Sequence, residues 1–243
     1  MKIILDTNIW LDLFDNRNLL DGLDKSLICT TFLNHFELIK KRGMVTNVEK
    51  FRWIFNKMDE FQKNFDPPFV HIAKQHQFFH YNVLMKLKGL FDFLSNYRYG
   101  AVISEENIKD FYDHADEINQ DFQNLSSSYN IGAKQIQGQI KNRNKHLKKE
   151  TTVLVEKYIS NMVALATGQD IKLMDFSKIE LLIKTLDLFF KKLEVGDIVS
   201  VTNDIMDFFI LSYVQPGDIY ITKDKKWKTL ITDSGCGNYL LNL

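Results

Sequence analysis

At both ends of the chain, short apolar runs alternate with helical patterns, and this alternation limits the fold more than any other feature. The runs KIIL, SLICTT and IYIT have the continuous apolar character of strands that are buried on both faces of a parallel sheet. A helical pattern follows each of them. Because consecutive parallel strands need crossover connections, we predict an α/β unit that is built discontinuously from residues 1–45 and 196–243.

The middle of the chain, residues 46–195, has an almost purely helical pattern. Residues 47–65 place aromatic and aliphatic side chains on one helical face, and a second apolar seam begins at Ile108. A long helix is predicted after Asp66-Pro67, ending near Gly100, and the other helices predicted here cover residues 106–125, 130–148, 152–167 and 178–194. We therefore predict that a large all-α insertion interrupts the sheet domain.

Composition and charge indicate the class of protein but not its partner. Of the 243 residues, 45% are apolar and 26% are charged, which is typical of a globular chain. Since no run of about 18 apolar residues is present, we expect no membrane span, and the two distant cysteines favour a reducing, cytoplasmic location. The 31 basic residues balance the 31 acidic ones, so binding to nucleic acid would depend on how the charges are distributed.

Five acidic residues lie near the ends of these predicted elements. Asp6 ends the first strand, Glu37 lies in the helix after the second strand, and Asp224 follows the last strand. Asp204 and Asp207 open the helix that follows the insertion. In a doubly wound sheet, such positions can face the ligand-binding crevice at the carboxyl edge. Each acid also has a structural alternative, because acidic residues cap helices and favour the positive end of the helix dipole.

A shared crevice would make these carboxylates repel one another. Two carboxylates about 4 Å apart repel by roughly 4 kcal/mol at an effective dielectric constant near 20. The repulsion among several of them would offset much of a domain's net stability of about 5–15 kcal/mol. Either they are apart in space or a positive charge lies among them, and oxygen ligands without histidine or cysteine suit Mg²⁺ or Mn²⁺.

Four segments of the sequence resemble the PIN-domain family of metal-dependent ribonucleases. They are IILDTNIWLDLF, TTFLNHFELIK, NDIMDFFILSYV and IYITKDKKW, in the family's order and on the expected elements. The resemblance covers residues 1–45 and 196–235, less than half of the chain. It implies a three-layer α/β/α fold with a central parallel sheet and the acids in one cleft. The insertion of roughly 150 residues departs from compact members, which join the same segments through a short helical stretch.

The resemblance also implies an activity and a set of site residues. The activity is hydrolysis of RNA phosphodiester bonds by water that is activated on Mg²⁺ or Mn²⁺. Asp204 is an auxiliary ligand or the alternative to Asp207, and Asn8 and Thr222 would hydrogen-bond the ligand carboxylates. The implied metal ligands are Asp6, Glu37, Asp207 and Asp224.

The implied substrate is RNA, and the family includes toxins of toxin–antitoxin pairs. An antitoxin, another protein partner or a homodimer is therefore compatible with the resemblance. Two other functions stay open: a non-catalytic module that binds RNA or protein, and a metal-dependent nuclease that acts on structured DNA. A non-catalytic scaffold has no use for a repulsive acidic cluster, which favours a nuclease.

A basic run within the insertion is a candidate surface for nucleic acid. Between residues 134 and 149 the sequence has no acidic residue, one histidine, and six cationic residues, Lys134, Lys141, Arg143, Lys145, Lys148 and Lys149. Such a run could bind phosphates beside the cleft. The same run is also typical of a solvated helix face.

Overall fold

In the computed structural model, which describes residues 1–40, 43–76, 105–168 and 174–241, the chain has an α/β fold with one parallel sheet. The strands described are β1 (Ile3–Leu5), β2 (Ile28–Thr31), β3 (Gln62–Asn64) and β4 (Ile219–Ile221). They lie side by side in the order β3-β2-β1-β4, and all of their pairings are parallel. The predicted α/β class and parallel sheet are confirmed.

Helices account for most of the rest of the described chain. A helix directly follows β1 and β2, and another begins four residues after β4, as the alternation in the sequence predicts. No helix in the described ranges is both long and apolar enough to cross a membrane. The helices are α1 (Thr7–Asp15), α2 (Phe32–Lys40), α3 (Gly43–Thr46), α4 (Val48–Asp59), α5 (Pro68–Gln75), α6 (Glu105–Gln137), α7 (Arg143–Leu147), α8 (Thr152–Thr167), α9 (Glu180–Glu194), α10 (Thr202–Ile210) and α11 (Lys225–Ile231).

Strand β1 is paired along both of its edges. Ile3 lies opposite Ile28 of β2 on one side and opposite Ile219 of β4 on the other. Because the strands are parallel, their carboxyl ends meet at one edge of the sheet. The backbone N–H of Asp6 donates a hydrogen bond to the carbonyl oxygen of Ile221 at 2.9 Å. The chain therefore leaves β1 directly beside the end of β4.

Alternate residues of the strands face two separate apolar cores. Ile3 and Leu5 belong to one core, together with side chains of α1 and α4. Ile4 belongs to the other core, which side chains of α9, α10 and α11 help to form. Since successive strand side chains point to opposite faces of a sheet, helices cover both faces. This arrangement is compatible with a three-layer α/β/α fold.

One strand lies where the sequence predicts only helix. The prediction of a single helix over residues 47–65 is wrong, because α4 ends at Asp59 and the chain then enters β3. Gln62 of β3 lies opposite Cys29 of β2. The side chains of this edge strand are exposed or half-exposed, so it has no apolar run to indicate it. The sheet thus takes one strand from the segment 46–195.

The helices of the middle segment also differ from the prediction in their bounds. The sequence predicts one helix near residues 106–125 and another over 130–148, whereas α6 is a continuous helix of 33 residues and α7 a separate short one. Helix α8 has the predicted bounds, 152–167. Helix α9 begins two residues later than predicted, after a 3₁₀ turn at Phe176–Ile179.

Candidate functional site

Four elements bring carboxylates to the carboxyl edge of the sheet. Asp6 lies one residue after β1 and Asp224 three residues after β4, while Glu37 lies in α2 and Asp207 in α10. Beyond burial, which is the largest cause, the charges of Glu37 and Asp224 raise the pKa of Asp6. The pKa of Asp207 is raised by burial and then by the charges of the other acids. The four acids selected from the sequence are therefore close enough to act on one another.

The side chain of Asp6 is held inside the protein by the residue that follows β4. It is 3% exposed, and Thr222 Oγ1 donates a hydrogen bond to its Oδ2 at 2.6 Å. Although Asp6 precedes α1, which is described in full, its side chain makes no capping hydrogen bond with that helix. Burial raises the pKa of Asp6 to about 6, and the hydrogen bond from Thr222 opposes this shift. Helix capping therefore does not account for Asp6.

The negative charges of four other acids act on Asp207, namely those of Asp6, Glu37, Asp224 and Asp204. Burial, followed by these charges, raises its pKa to about 8. Trp227 Nε1 donates a hydrogen bond to Asp207 Oδ2 at 2.9 Å, and the Trp227 ring stacks on Phe189 with the ring centroids 6.0 Å apart. The Asp207 carboxyl therefore loses its proton at a higher pH than an ordinary aspartate does.

Asp204 has a structural role that the sequence leaves as an alternative. It is 2% exposed, Lys226 Nζ lies 2.6 Å from both of its oxygens, and its Oδ2 accepts a hydrogen bond from the backbone N–H of Val201 at 2.8 Å. These contacts neutralise its charge and close the first turn of α10. Within the described part of the chain, Asp207 has no such cationic partner. Of the two acids of α10, Asp204 therefore has its charge balanced by a lysine and, among the described residues, Asp207 does not.

Asp224 caps the last helix through one oxygen. Its Oδ1 accepts a hydrogen bond from the backbone N–H of Trp227 at 3.1 Å, at the start of α11. Its own backbone N–H donates to Thr222 Oγ1 at 3.0 Å. Asp224 is therefore a helix cap, as the structural alternative predicts. Its charge also raises the pKa of Asp6 and of Asp207.

Asn34, which is not among the site residues predicted from the sequence, joins the ends of β1 and β2. Its buried Nδ2 donates hydrogen bonds to the carbonyl oxygen of Leu5 at 2.9 Å and to Thr7 Oγ1 at 3.3 Å. Its Oδ1 accepts hydrogen bonds from the N–H and the hydroxyl of Thr31, both at 3.0 Å. The spacing of Thr31 and Asn34 is that of a capping box, a signal visible in the sequence.

The two predicted supporting residues are placed differently. Thr222 is buried and contacts a carboxylate of the cluster, as described above. Asn8 is exposed in the first turn of α1, and among the described residues it forms no hydrogen bond with a carboxylate. The contacts expected of Asn8 are made instead by Trp227 and Lys226. No local pattern in the sequence indicates that Trp227 and Lys226 contact these carboxylates.

The donor set suits a hard divalent cation, but the side chains do not converge on one point. Carboxylate oxygens are the ligands that Mg²⁺ and Mn²⁺ prefer. Among the residues that the structure describes, no group of three or more His, Cys, Asp or Glu side chains is arranged to hold a metal ion. Binding of an ion would therefore require the carboxylates to turn toward it.

At pH 8 and without divalent metal, Asp207→Asn is expected to raise the free energy of unfolding by on the order of 2 kcal/mol. The pKa of Asp207 is raised in the folded protein, so folding at this pH costs free energy to protonate or bury the charged carboxyl. This destabilisation is absent below about pH 4, grows as the pH rises, and is complete above about pH 8. Urea denaturation in EDTA at pH 5 and pH 8 measures it.

Asparagine is the suitable replacement because its side-chain oxygen can still accept the hydrogen bond from Trp227. The control is Asp12→Asn, which removes a half-exposed carboxylate that pairs with Lys223 at the surface. Its effect should stay within about 0.5 kcal/mol at both pH values. If Asp207→Asn is no more stable than the wild type at pH 8, the carboxyl of Asp207 does not have the raised pKa.

The six cationic residues of the basic run are exposed, but they do not share one surface. Arg143 forms an ion pair with Asp197, just beyond the end of α9. Four of the other cationic residues, Lys141, Lys145, Lys148 and Lys149, line a groove, whereas Lys134 does not. The predicted nucleic-acid surface is thus reduced to four lysines.

Comparison with known proteins adds no family assignment to this site. No protein-family model matches the chain, and searches of curated proteins and of solved structures gave no significant match.

Proposed function

We propose that the chain is a divalent-metal-dependent nuclease with a PIN-like core that hydrolyses phosphodiester bonds in RNA. The observation that carries the proposal is the cluster of Asp6, Glu37, Asp207 and Asp224, in which burial and mutual repulsion raise the pKa of Asp6 and Asp207. Strongly perturbed acids in one cluster are typical of functional sites. Their position at the carboxyl edge of a parallel sheet, where such folds bind ligands, supports the same conclusion.

In this proposal the four carboxylates hold one or two Mg²⁺ or Mn²⁺ ions. A bound ion of this kind lowers the pKa of its water and neutralises charge on the leaving oxygen. Thr222 fixes the carboxylate of Asp6, and Trp227 fixes that of Asp207, through the hydrogen bonds described above. Lys226 neutralises the neighbouring Asp204, so Asp204 adds little negative charge to the four acids of the cluster.

A non-catalytic binding module is the second candidate. The observation in its favour is that Asp204 and Asp224 already cap helices and that, in the described ranges, no three potential ligands converge. In that case the cluster is structural and binds no metal. Against it stands the cost of keeping one buried and three half-buried carboxylates that repel one another and gain nothing from it.

Titration of Mn²⁺ into the apo protein tests the proposal directly. We expect saturable binding to the wild type and at least about tenfold weaker binding to Asp6→Asn and to Asp207→Asn, because each removes one charged ligand. The Asp12→Asn control should bind Mn²⁺ as the wild type does. Isothermal titration calorimetry measures all four proteins, and equal binding by Asp6→Asn would exclude Asp6 as a ligand.

The nucleic acid is tested separately, with labelled single-stranded RNA, duplex DNA and flapped DNA in Mn²⁺. Cleavage of the RNA supports the proposed function. Cleavage of flapped DNA alone would indicate a structure-specific DNA nuclease with the same metal site. Absence of both Mn²⁺ binding and cleavage would leave the non-catalytic module.

A further inference from the structure

A groove with four lysines lies at the junction of α6 and α7. It has a volume of about 910 Å³, and it is lined by Lys141, Lys145, Lys148 and Lys149 together with Ile136, Ile140 and several amide side chains. Among the lining residues that the structure describes, none is acidic. The groove is therefore a concave surface whose charged side chains are lysines.

The local structure explains why the lysines come together. The chain turns after α6, and Asn142 Oδ1 accepts a hydrogen bond from the backbone N–H of Lys145 at 2.9 Å, which starts α7. Lys141 precedes this turn, while Lys145, Lys148 and Lys149 follow at spacings of three and four residues. Lys145 lies within α7, and Lys148 and Lys149 lie just beyond its end at Leu147, so the turns on either side of this short helix bring all four lysines to one groove.

Helix α7 is attached to the body of the protein by residues other than these lysines. Arg143 forms an ion pair with Asp197, and His146 Nε2 and Glu194 Oε2 are joined by a hydrogen bond of 2.6 Å. Asp197 and Glu194 are therefore paired with residues of α7 other than lysine, and the nearby Glu150 accepts a hydrogen bond from the Thr152 hydroxyl. Within the described part of the chain, the four groove lysines form no ion pair with an acidic residue. Their charge is therefore available to a ligand.

We infer that this groove binds the phosphate backbone of a single-stranded nucleic acid, without divalent metal and without the carboxylate cluster. Lysine binds phosphate as a point charge, and four lysines along one groove match a ligand with several regularly spaced charges. Ile136 is 38% exposed and Ile140 is half-buried, so the groove also offers apolar contact to unpaired bases or sugars. A duplex presents mainly phosphates at its surface and would leave this apolar part of the groove unused.

Fluorescence polarisation of a 5′-labelled oligouridine RNA in EDTA tests the inference. If four lysines contact phosphates, the affinity should fall about 50-fold between 50 and 200 mM salt. Lys141→Gln/Lys145→Gln, and likewise Lys148→Gln/Lys149→Gln, should each weaken binding about tenfold and roughly halve the dependence on salt. Asp12→Asn, which changes a surface carboxylate that pairs with Lys223 away from the groove, should bind the RNA as tightly as the wild type.

The matched control is Lys25→Gln/Lys157→Gln, which removes two exposed charges outside the groove. It should change the affinity less than about twofold. An equal loss in this control, a requirement for divalent metal, or equal displacement of the RNA by a polyglutamate peptide would overturn the inference. Since the assay contains no metal, failure of the proposed nuclease activity would leave its result unaffected.

Discussion

Asp6→Asn is expected to cleave single-stranded RNA at least about 10³-fold more slowly than the wild-type protein in saturating Mn²⁺. Replacing a residue that only supports a metal ligand costs about 10- to 100-fold, and loss of a charged ligand should cost more. The asparagine side chain has the size of aspartate and can still accept the hydrogen bond from Thr222. Single-turnover cleavage of labelled RNA over a range of Mn²⁺ concentrations measures the effect.

Two further variants separate the roles around Asp6. Thr222→Val keeps the carboxylate but removes its hydrogen-bond donor, so a loss of about 10- to 100-fold is expected. Asp12→Asn, which changes a surface carboxylate in α1, should cleave at the wild-type rate. Cleavage by Asp6→Asn within tenfold of the wild type would remove Asp6 from the proposed mechanism.

Asn34→Ala is expected to lower the free energy of unfolding by about 3 kcal/mol or more. The side chain of Asn34 is fully buried and makes hydrogen bonds to Leu5, Thr7 and Thr31, at the ends of β1 and β2. Alanine leaves the buried N–H of Thr31 and the carbonyl of Leu5 without these partners. At about 2–4 °C per kcal/mol for a chain of this size, the melting temperature should fall by about 10 °C.

Asn8→Ala is the matched control for this measurement, because it makes the same replacement at an exposed asparagine that lies close to the same strand end. Its effect on stability should stay within about 0.5 kcal/mol. Thermal and urea denaturation of both variants in EDTA give the comparison. A loss below about 1 kcal/mol in Asn34→Ala would mean that the Asn34 hydrogen bonds do not hold the two strand ends together.

The sheet could be predicted wherever burial leaves a mark on the sequence. Strands β1, β2 and β4 are short apolar runs because helices cover both of their faces. Strand β3 has the sequence Gln-Lys-Asn and lies at the edge of the sheet, so hydrogen bonding to β2 determines it and hydrophobicity does not. A prediction from apolar patterns therefore cannot find it, and it assigns the whole segment to helix.

The candidate site could be predicted as a list of acids but not as an arrangement. Strand ends and helix starts indicate which acids approach the carboxyl edge, and the structure brings four of them together there. The pairing of Asp204 with Lys226 joins residues 22 positions apart on different helices, so no local pattern predicts it. The sequence selects the exposed Asn8 and misses the buried Asn34, although the local spacing of Thr31 and Asn34 is a signal for the latter.

The order of strands in the sheet has a consequence for synthesis of the chain. More than 210 residues separate Leu5 of β1 from Ile219 of β4, although the two strands are neighbours. At about 5–20 residues per second, translation needs roughly 10 to 40 seconds to supply that neighbour. A nascent chain that stops before α10 contains Asp6 and Glu37 but neither Asp207 nor Asp224. Any chemistry that requires all four acids therefore begins only after translation has passed β4.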